Sequence, residues 1–305
     1  MTLPTIDLWL LATVAAASFQ ALRFMLQKVL ATATLTASGA TFARFLYSAP
    51  LVALGLAAYL AVYGLEMPAL SVLFWVFGLT GGLAQVLATV CVVQLFKSRN
   101  FAVGITLKKT ETILSVLVGL VLLGEGVSLF AFAAIALGVC GVILLSKQPQ
   151  SDVRGWRSMA NQSVALGLGA GFLFAISAVC YRGASLELAT DDAVLRAAVT
   201  LSAVTASQLV GMALWLKWRS PGQIFAVWQA RRIAIWIGIL SMGGSFCWFL
   251  AFTLQTAALV KAVGQIELVF SLLISTLIFG ERSTGRELCG IGLLVASIVA
   301  LVLVA

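Results

Sequence analysis

The sequence predicts an all-α integral membrane protein with ten transmembrane helices arranged as two inverted five-helix repeats. Three observations predict it: an apolar composition, ten stretches each long enough to cross a bilayer, and residues that match in order between two halves. Of the 305 residues, 62% are hydrophobic and 10% are charged, and the mean hydropathy is +1.10. A soluble domain carries about 25% charged residues. This chain cannot cover itself with polar groups, so most of its surface must face lipid.

A hydrocarbon core about 30 Å thick takes about 20 apolar residues per helix. On that ruler the first five spans fall at Leu8–Leu30, Gly39–Gly64, Leu70–Phe96, Phe101–Leu123 and Leu129–Ser146. The first lacks a basic leader and a small-residue cleavage site, so it is expected to remain as a helix. A polar linker, KQPQSDVRGWRSMANQ, occupies 147–162. The second five spans fall at Val164–Arg182, Ala193–Leu216, Ile233–Gln255, Ala258–Phe279 and Glu287–Ala305. The linker is the long polar segment and sits at the midpoint, giving repeats at 1–146 and 163–305.

The halves match residue by residue. Span 4 and its turn read AVGITLKKTETILSVLVGLVLLGE; span 9 reads ALVKAVGQIELVFSLLISTLIFGE. Without gaps these pair Glu111 with Glu267, Ser115 with Ser271, and Glu125 with Glu281. Spans 3 and 8 pair Trp75 with Trp236 and Gly82 with Gly243, while Arg44 and Arg196 open spans 2 and 7. Such a set, in order, indicates duplication. Because five is odd, the halves start on opposite sides of the membrane. Inverted repeats of this kind enclose a substrate site near the midplane and work by alternating access.

These features resemble the EamA family of the drug/metabolite transporter superfamily. The resemblance covers essentially the whole chain and rests on the two five-helix repeats, Arg44-Phe45 in span 2, and the apolar runs ending at Glu125 and Glu281. It implies a bacterial inner-membrane carrier that exports amino acids or other small metabolites. Relatives tend to carry a proline midway along spans 4 and 9, near Glu111 and Glu267 in this chain. They usually keep both termini in the cytoplasm. Here most of the 19 Lys and Arg lie on the linker's side, among them Lys28, Lys97, Arg99, Arg231 and Arg232, whereas Arg182, Arg196 and Lys261 lie towards the termini's side. By the positive-inside rule, the linker is cytoplasmic and both termini are outside.

Ionisable residues at bilayer depth cost at least about 2.5–3.5 kcal/mol on insertion scales, so each asks for a reason. Glu111 lies near the middle of span 4 with Lys108 and Lys109 beside it; Glu267 has the matching depth in span 9, next to Gln265. Gln20, Arg23 and Gln27 form one stripe on span 1. Two readings follow. In one, a central cavity uses Lys108, Lys109 and Arg23 to meet an anionic group, while Glu111 and Glu267 meet a cationic group or carry a coupling proton; burial favours the neutral carboxyl such a step needs. In the other, Lys108, Glu111 and Glu267 form a buried network that fixes helix packing. Gln85, Tyr181 and Trp248 join as candidate cavity residues, with Gln94 and Gln255 beside them. Glu125 and Glu281 read as helix-termination residues ahead of the N-caps Ser128 and Thr284.

Several classes are excluded or disfavoured. The basic residues flank apolar stretches and form no nucleic-acid face. The chain has no histidine, which removes the common zinc sites and the Ser-His-Asp arrangement. Its five cysteines lie in apolar stretches and read as small buried hydrophobes, so no metal site, cofactor or enzymatic centre is expected. No P-loop is present, which makes a gradient the energy source. A secondary exporter of small polar metabolites is the leading expectation, in the lipid bilayer as a monomer, with a dimer as the alternative. A hydrophobic drug efflux carrier and a membrane-embedded lipid-modifying enzyme are the competing ones.

Overall fold

A computed structural model describes residues 7–33, 35–95, 107–145, 156–270 and 285–303; among these the chain is helices joined by short turns, with no strand. The helices are α1 (Leu8–Ala33), α2 (Ala37–Tyr63), α3 (Val72–Leu95), α4 (Glu111–Leu123), α5 (Leu129–Leu145), α6 (Trp156–Leu186), α7 (Ala193–Arg219), α8 (Gly222–Gln229), α9 (Arg231–Leu254), α10 (Ala257–Val263) and α11 (Gly285–Val302). A 3₁₀ turn, Gly264–Ile266, follows α10 and leads into helical residues 267–270.

Six of these helices (α1, α2, α3, α6, α7 and α9) are long and apolar enough to cross a membrane, and α4, α5 and α11 are shorter apolar helices. Large hydrophobic side chains face outward, among them Leu54, Val72, Val121 and Leu129. That surface suits lipid and would be costly in water. The multi-pass membrane reading therefore holds. The ninth expected span is described only as far as residue 270. Ser271, Glu281, Thr284, Lys97, Arg99 and residues 147–155 of the linker lie outside the described residues. Residues 156–162, expected as linker, are helical and begin α6.

Helix ends follow local chemistry. Thr36 caps α2, its hydroxyl accepting from the Gly39 N–H at 3.0 Å. Asp192 caps α7 by accepting from the N–H groups of Val194 (2.9 Å) and Leu195 (3.1 Å). Partial burial pushes the Asp192 carboxyl up, but the Tyr59 hydroxyl (2.8 Å) and those two backbone donors outweigh it and hold it below its ordinary value. α2 and α4 stop at Gly64 and Gly124, whose φ values of 62° and 67° suit glycine. At the Gly124 turn Ser128 caps α5 by accepting from Ala131 at 3.1 Å, as its spacing predicts.

Turn-to-turn contacts sort the loops to two ends of the bundle. At one end Ser71 donates to Glu187 (3.2 Å) and Tyr59 donates to Asp192. At the other the Thr36 hydroxyl donates to Gln223 (2.9 Å), which lies in α8, a short helix the sequence does not announce. Along the bundle α3 packs on α6 and α1 on α9, α5 packs on α11 and α2 on α7, while α4 packs on both α6 and α10. Small residues allow the closest approaches: a Cβ on Gly141 of α5 would lie 2.8 Å from the Gly290 carbonyl of α11. Two cysteines depart from expectation. Cys140 and Cys289 face outward from apolar helices, while Cys180 is buried.

Candidate functional site

The site begins with two interruptions. Spans 4 and 9, expected as continuous helices, are broken midway. In the first half Thr110 donates its N–H to the Leu107 carbonyl at 3.1 Å and its hydroxyl to the same oxygen at 2.7 Å; Thr112 donates to Lys109. These i to i−3 bonds tighten the chain into a turn at 109–110, and α4 restarts at Glu111. In the second half α10 gives way to the 3₁₀ turn at Gly264, a residue of poor helix propensity, and the helix resumes at Glu267. The breaks fall where relatives in the resembled family tend to carry proline, and here they form without it. Each glutamate thus opens a helical segment, where the helix dipole favours negative charge.

The breaks are then crosslinked across the halves. Glu111, 3% exposed, sits 3.3 Å from Lys108 Nζ through Oε1 and 3.4 Å from Lys261 Nζ through Oε2. Glu267 Oε2 is 3.4 Å from Lys109 Nζ and accepts from Gln20 Nε2 at 2.9 Å. Gln265 Nε2 donates to Thr112 Oγ1 at 2.7 Å. So a lysine of each half reaches the glutamate of the other. Lys261, which the sequence places towards the flank of span 9, is a buried partner of Glu111. Its long stem carries the charge inward, where the Phe174 and Trp248 rings lie 5.3 and 5.2 Å from Nζ.

Beside this network lies a cavity of about 30 Å³. Gln20 and Arg23 reach it from α1, Arg44 from α2 and Gln85 from α3; Tyr181 reaches it from α6, Trp248 from α9 and Lys261 from α10. Arg23 and Arg44 are each 4% exposed. Arg23 donates to Gln27 Oε1 (3.2 Å) and Arg44 to Ser245 Oγ (2.9 Å); among the described residues neither has a carboxylate in ion-pair contact. Tyr181 stacks on Phe249 with ring centroids 4.3 Å apart and accepts from Gln208 Nε2 at 3.2 Å. The indole N–H of Trp248 is buried with no hydrogen-bond partner among the described residues.

The sequence-predicted residues therefore divide. Gln20, Arg23, Gln85, Tyr181 and Trp248 line the cavity, while Lys108, Lys109, Glu111, Glu267 and Gln265 form the network next to it. Gln94 faces outward and Gln255 ends α9, away from the cavity lining. Arg44, read from the sequence as a flanking charge, belongs to the cavity instead. Glu125 ends a turn and also binds Arg182, whose Nε reaches both carboxylate oxygens at 2.6 and 2.8 Å. Arg182 donates further to the Phe252 carbonyl at 2.8 Å, tying the ends of α4, α6 and α9 together.

A bundle of apolar helices around a charged cavity defines a multi-pass membrane protein with a polar interior. Residues 161–303 match the EamA-like transporter family. A protein known from a crystal structure is 17% identical and superposes with a TM-score of 0.66, over 95% of this chain and 99% of its own; at that identity the likeness is one of fold. No curated protein matches in sequence. The family match covers the second half of the chain, which is similar to EamA-like transporters.

Proposed function

We propose that the protein is a secondary active exporter of a small polar metabolite, working by alternating access between two inverted five-helix repeats in a bacterial inner membrane. The observation that carries the reading is the charged cavity walled by helices of both halves. The packing supports the repeat: exchanging the halves turns the α3–α6 contact into α9–α1, and the α4–α6 contact into α10–α1, each of which is present. The two broken helical segments, joined by ion pairs between the halves, support it further, since discontinuous helices build solute sites in inverted-repeat carriers. The cavity, at about 30 Å³, has room for about two water molecules. A metabolite needs more, so binding must accompany opening of one face. In this reading Arg23, Gln20, Gln85, Tyr181 and Trp248 contact the solute. Glu111, Glu267, Lys108, Lys109 and Gln265 tie the two breaks together.

A greasy drug as substrate fits less well, because two buried arginines would face it without a counterion. The test is counterflow: purified protein in sealed proteoliposomes should exchange radiolabelled for unlabelled solute from a panel of amino acids, organic acids, polyamines and lipophilic cations. Exchange confined to lipophilic cations would favour drug efflux. Lipid turnover with no exchange of any solute would make it an enzyme.

A further inference from the structure

The interior charge is unbalanced. Arg23, Arg44, Lys108, Lys109 and Lys261 are buried cations, and the carboxylates paired among them are Glu111 and Glu267. The lysines hold the glutamates: Glu111 lies between Lys108 and Lys261, and Glu267 meets Lys109. Among the described residues that pairing leaves neither arginine in ion-pair contact with a carboxylate, although Glu267 lies near enough to Arg23 to act on it electrostatically. The guanidinium groups bond instead to the neutral oxygens of Gln27 and Ser245. Both arginines are 4% exposed and line one cavity from adjoining helices. Buried charge without a counterion is expensive in low dielectric. A planar guanidinium is the side chain best matched to a carboxylate or phosphate. The same cavity is also lined by aromatic rings: the Tyr181–Phe249 stack and Trp248, whose buried N–H has no hydrogen-bond partner among the described residues and is a further donor for a polar substituent.

We infer that the transported solute is an organic anion whose carboxylate or phosphate sits between Arg23 and Arg44, with an apolar body against Trp248 and the Tyr181–Phe249 stack. The inference rests on the carrier reading and narrows it. A zwitterion would need a free carboxylate in the site for its ammonium, and both glutamates there are already engaged by lysines. The anion reduces the excess positive charge of the cavity and gives the two arginines a counterion.

The test compares solutes that share a body and differ in charge. Phenylpyruvate and phenyl phosphate carry the anion, phenylalanine is zwitterionic and phenethylamine is cationic; pyruvate, alanine and ethylamine repeat the series without the ring. Binding is read first, as thermal stabilisation of the detergent-purified protein, which requires no transport. The anions should stabilise the protein and the amines should not, and phenyl phosphate against phenylpyruvate tells phosphate from carboxylate. Arg44→Gln should weaken anion binding about tenfold or more. Arg44→Lys, which keeps the charge, should restore part of it and guards against a variant that simply misfolds. Equal stabilisation by phenylalanine or phenethylamine, or unchanged anion binding in Arg44→Gln, overturns the inference. Counterflow in proteoliposomes then judges the other reading by itself. Anion binding without exchange of any solute would sink the carrier and leave the anion site standing; exchange of zwitterions or amines alone would do the reverse.

Discussion

Glu111 holds two lysines with one carboxylate, and that ratio sets what its removal does. Glu111→Gln keeps the size of the side chain but leaves Lys108 and Lys261 facing each other in the interior. Stranding buried charge costs about 3–5 kcal/mol, so the variant should unfold at clearly lower temperature than the parent. Adding Lys108→Met should recover part of the loss, because one stranded cation is then gone. Glu267→Gln should cost less: its side chain is 13% exposed, and an amide can still accept from Gln20. The check is the thermal melting of the three variants in one detergent. If Glu111→Gln melts like the parent, the glutamate is not the counterion its geometry indicates, and a proton-carrying role becomes the better account. The sequence already places Glu111, Glu267, Lys108 and Lys109 together at one depth. It does not reveal Arg44 and Lys261, since a basic residue near a span's end reads as a topology signal. Arg44 had one available clue, lying seven residues, about 10 Å of rise, inside α2.

At the scale of elements, hydropathy fixes the helices well and their interruptions poorly. The expected span Gly39–Gly64 is α2 to within two residues at its start and one at its end, because capping chemistry at Thr36 and Gly64 coincides with the hydropathy boundary. The break at 109–110 has no such marker; Lys-Lys-Thr-Glu is compatible with helix, and the Thr110 hydroxyl bond to Leu107 appears only in three dimensions. α8 is missed because its eight residues, though mostly apolar, are too few to register as a span. What holds the first break in place is α6. A Cβ on Gly171 would lie 2.9 Å from both the Lys108 carbonyl and Thr110 Oγ1, whereas one on Gly169, two residues away, would meet nothing within 4 Å. Gly171→Ala should therefore push the turn that aims Lys108 and Glu111, at a cost of about 1–3 kcal/mol. Gly169→Ala should be neutral or stabilising by up to about 1 kcal/mol, since alanine is the better helix former. Melting temperatures of the pair decide it. Equal behaviour would mean that α6 does not set the position of the break.

For the whole molecule, the two ends of the bundle differ in charge. The end that carries the 64–71, 124–128 and 187–192 connections holds Glu66, Glu125, Glu187, Asp191 and Asp192 against Arg196 and Arg182, the latter paired to Glu125. The end that carries α8 holds Lys217, Arg219, Arg231 and Arg232. Moving Arg44 and Lys261 from the flanks into the interior takes one basic residue from each side's count, so the asymmetry survives the correction. If the positive-inside rule sets the orientation, the α8 end faces the cytoplasm, and the Arg182 clamp that joins Glu125 to the Phe252 carbonyl lies at the outer face. Relatives in the resembled family usually have the reverse orientation, so the two expectations part company on one experiment. In a cysteine-free background, a single cysteine replacing Glu66 should react with a membrane-impermeant thiol reagent in intact cells, while one replacing Gln229 should react only after the membrane is opened. The exchanged pattern would mean that the usual family orientation overrides the charge count, and the clamp would then lie at the cytoplasmic face. Labelling of both positions in intact cells would indicate a mixed population, in which the basic end is too weak a signal to fix insertion.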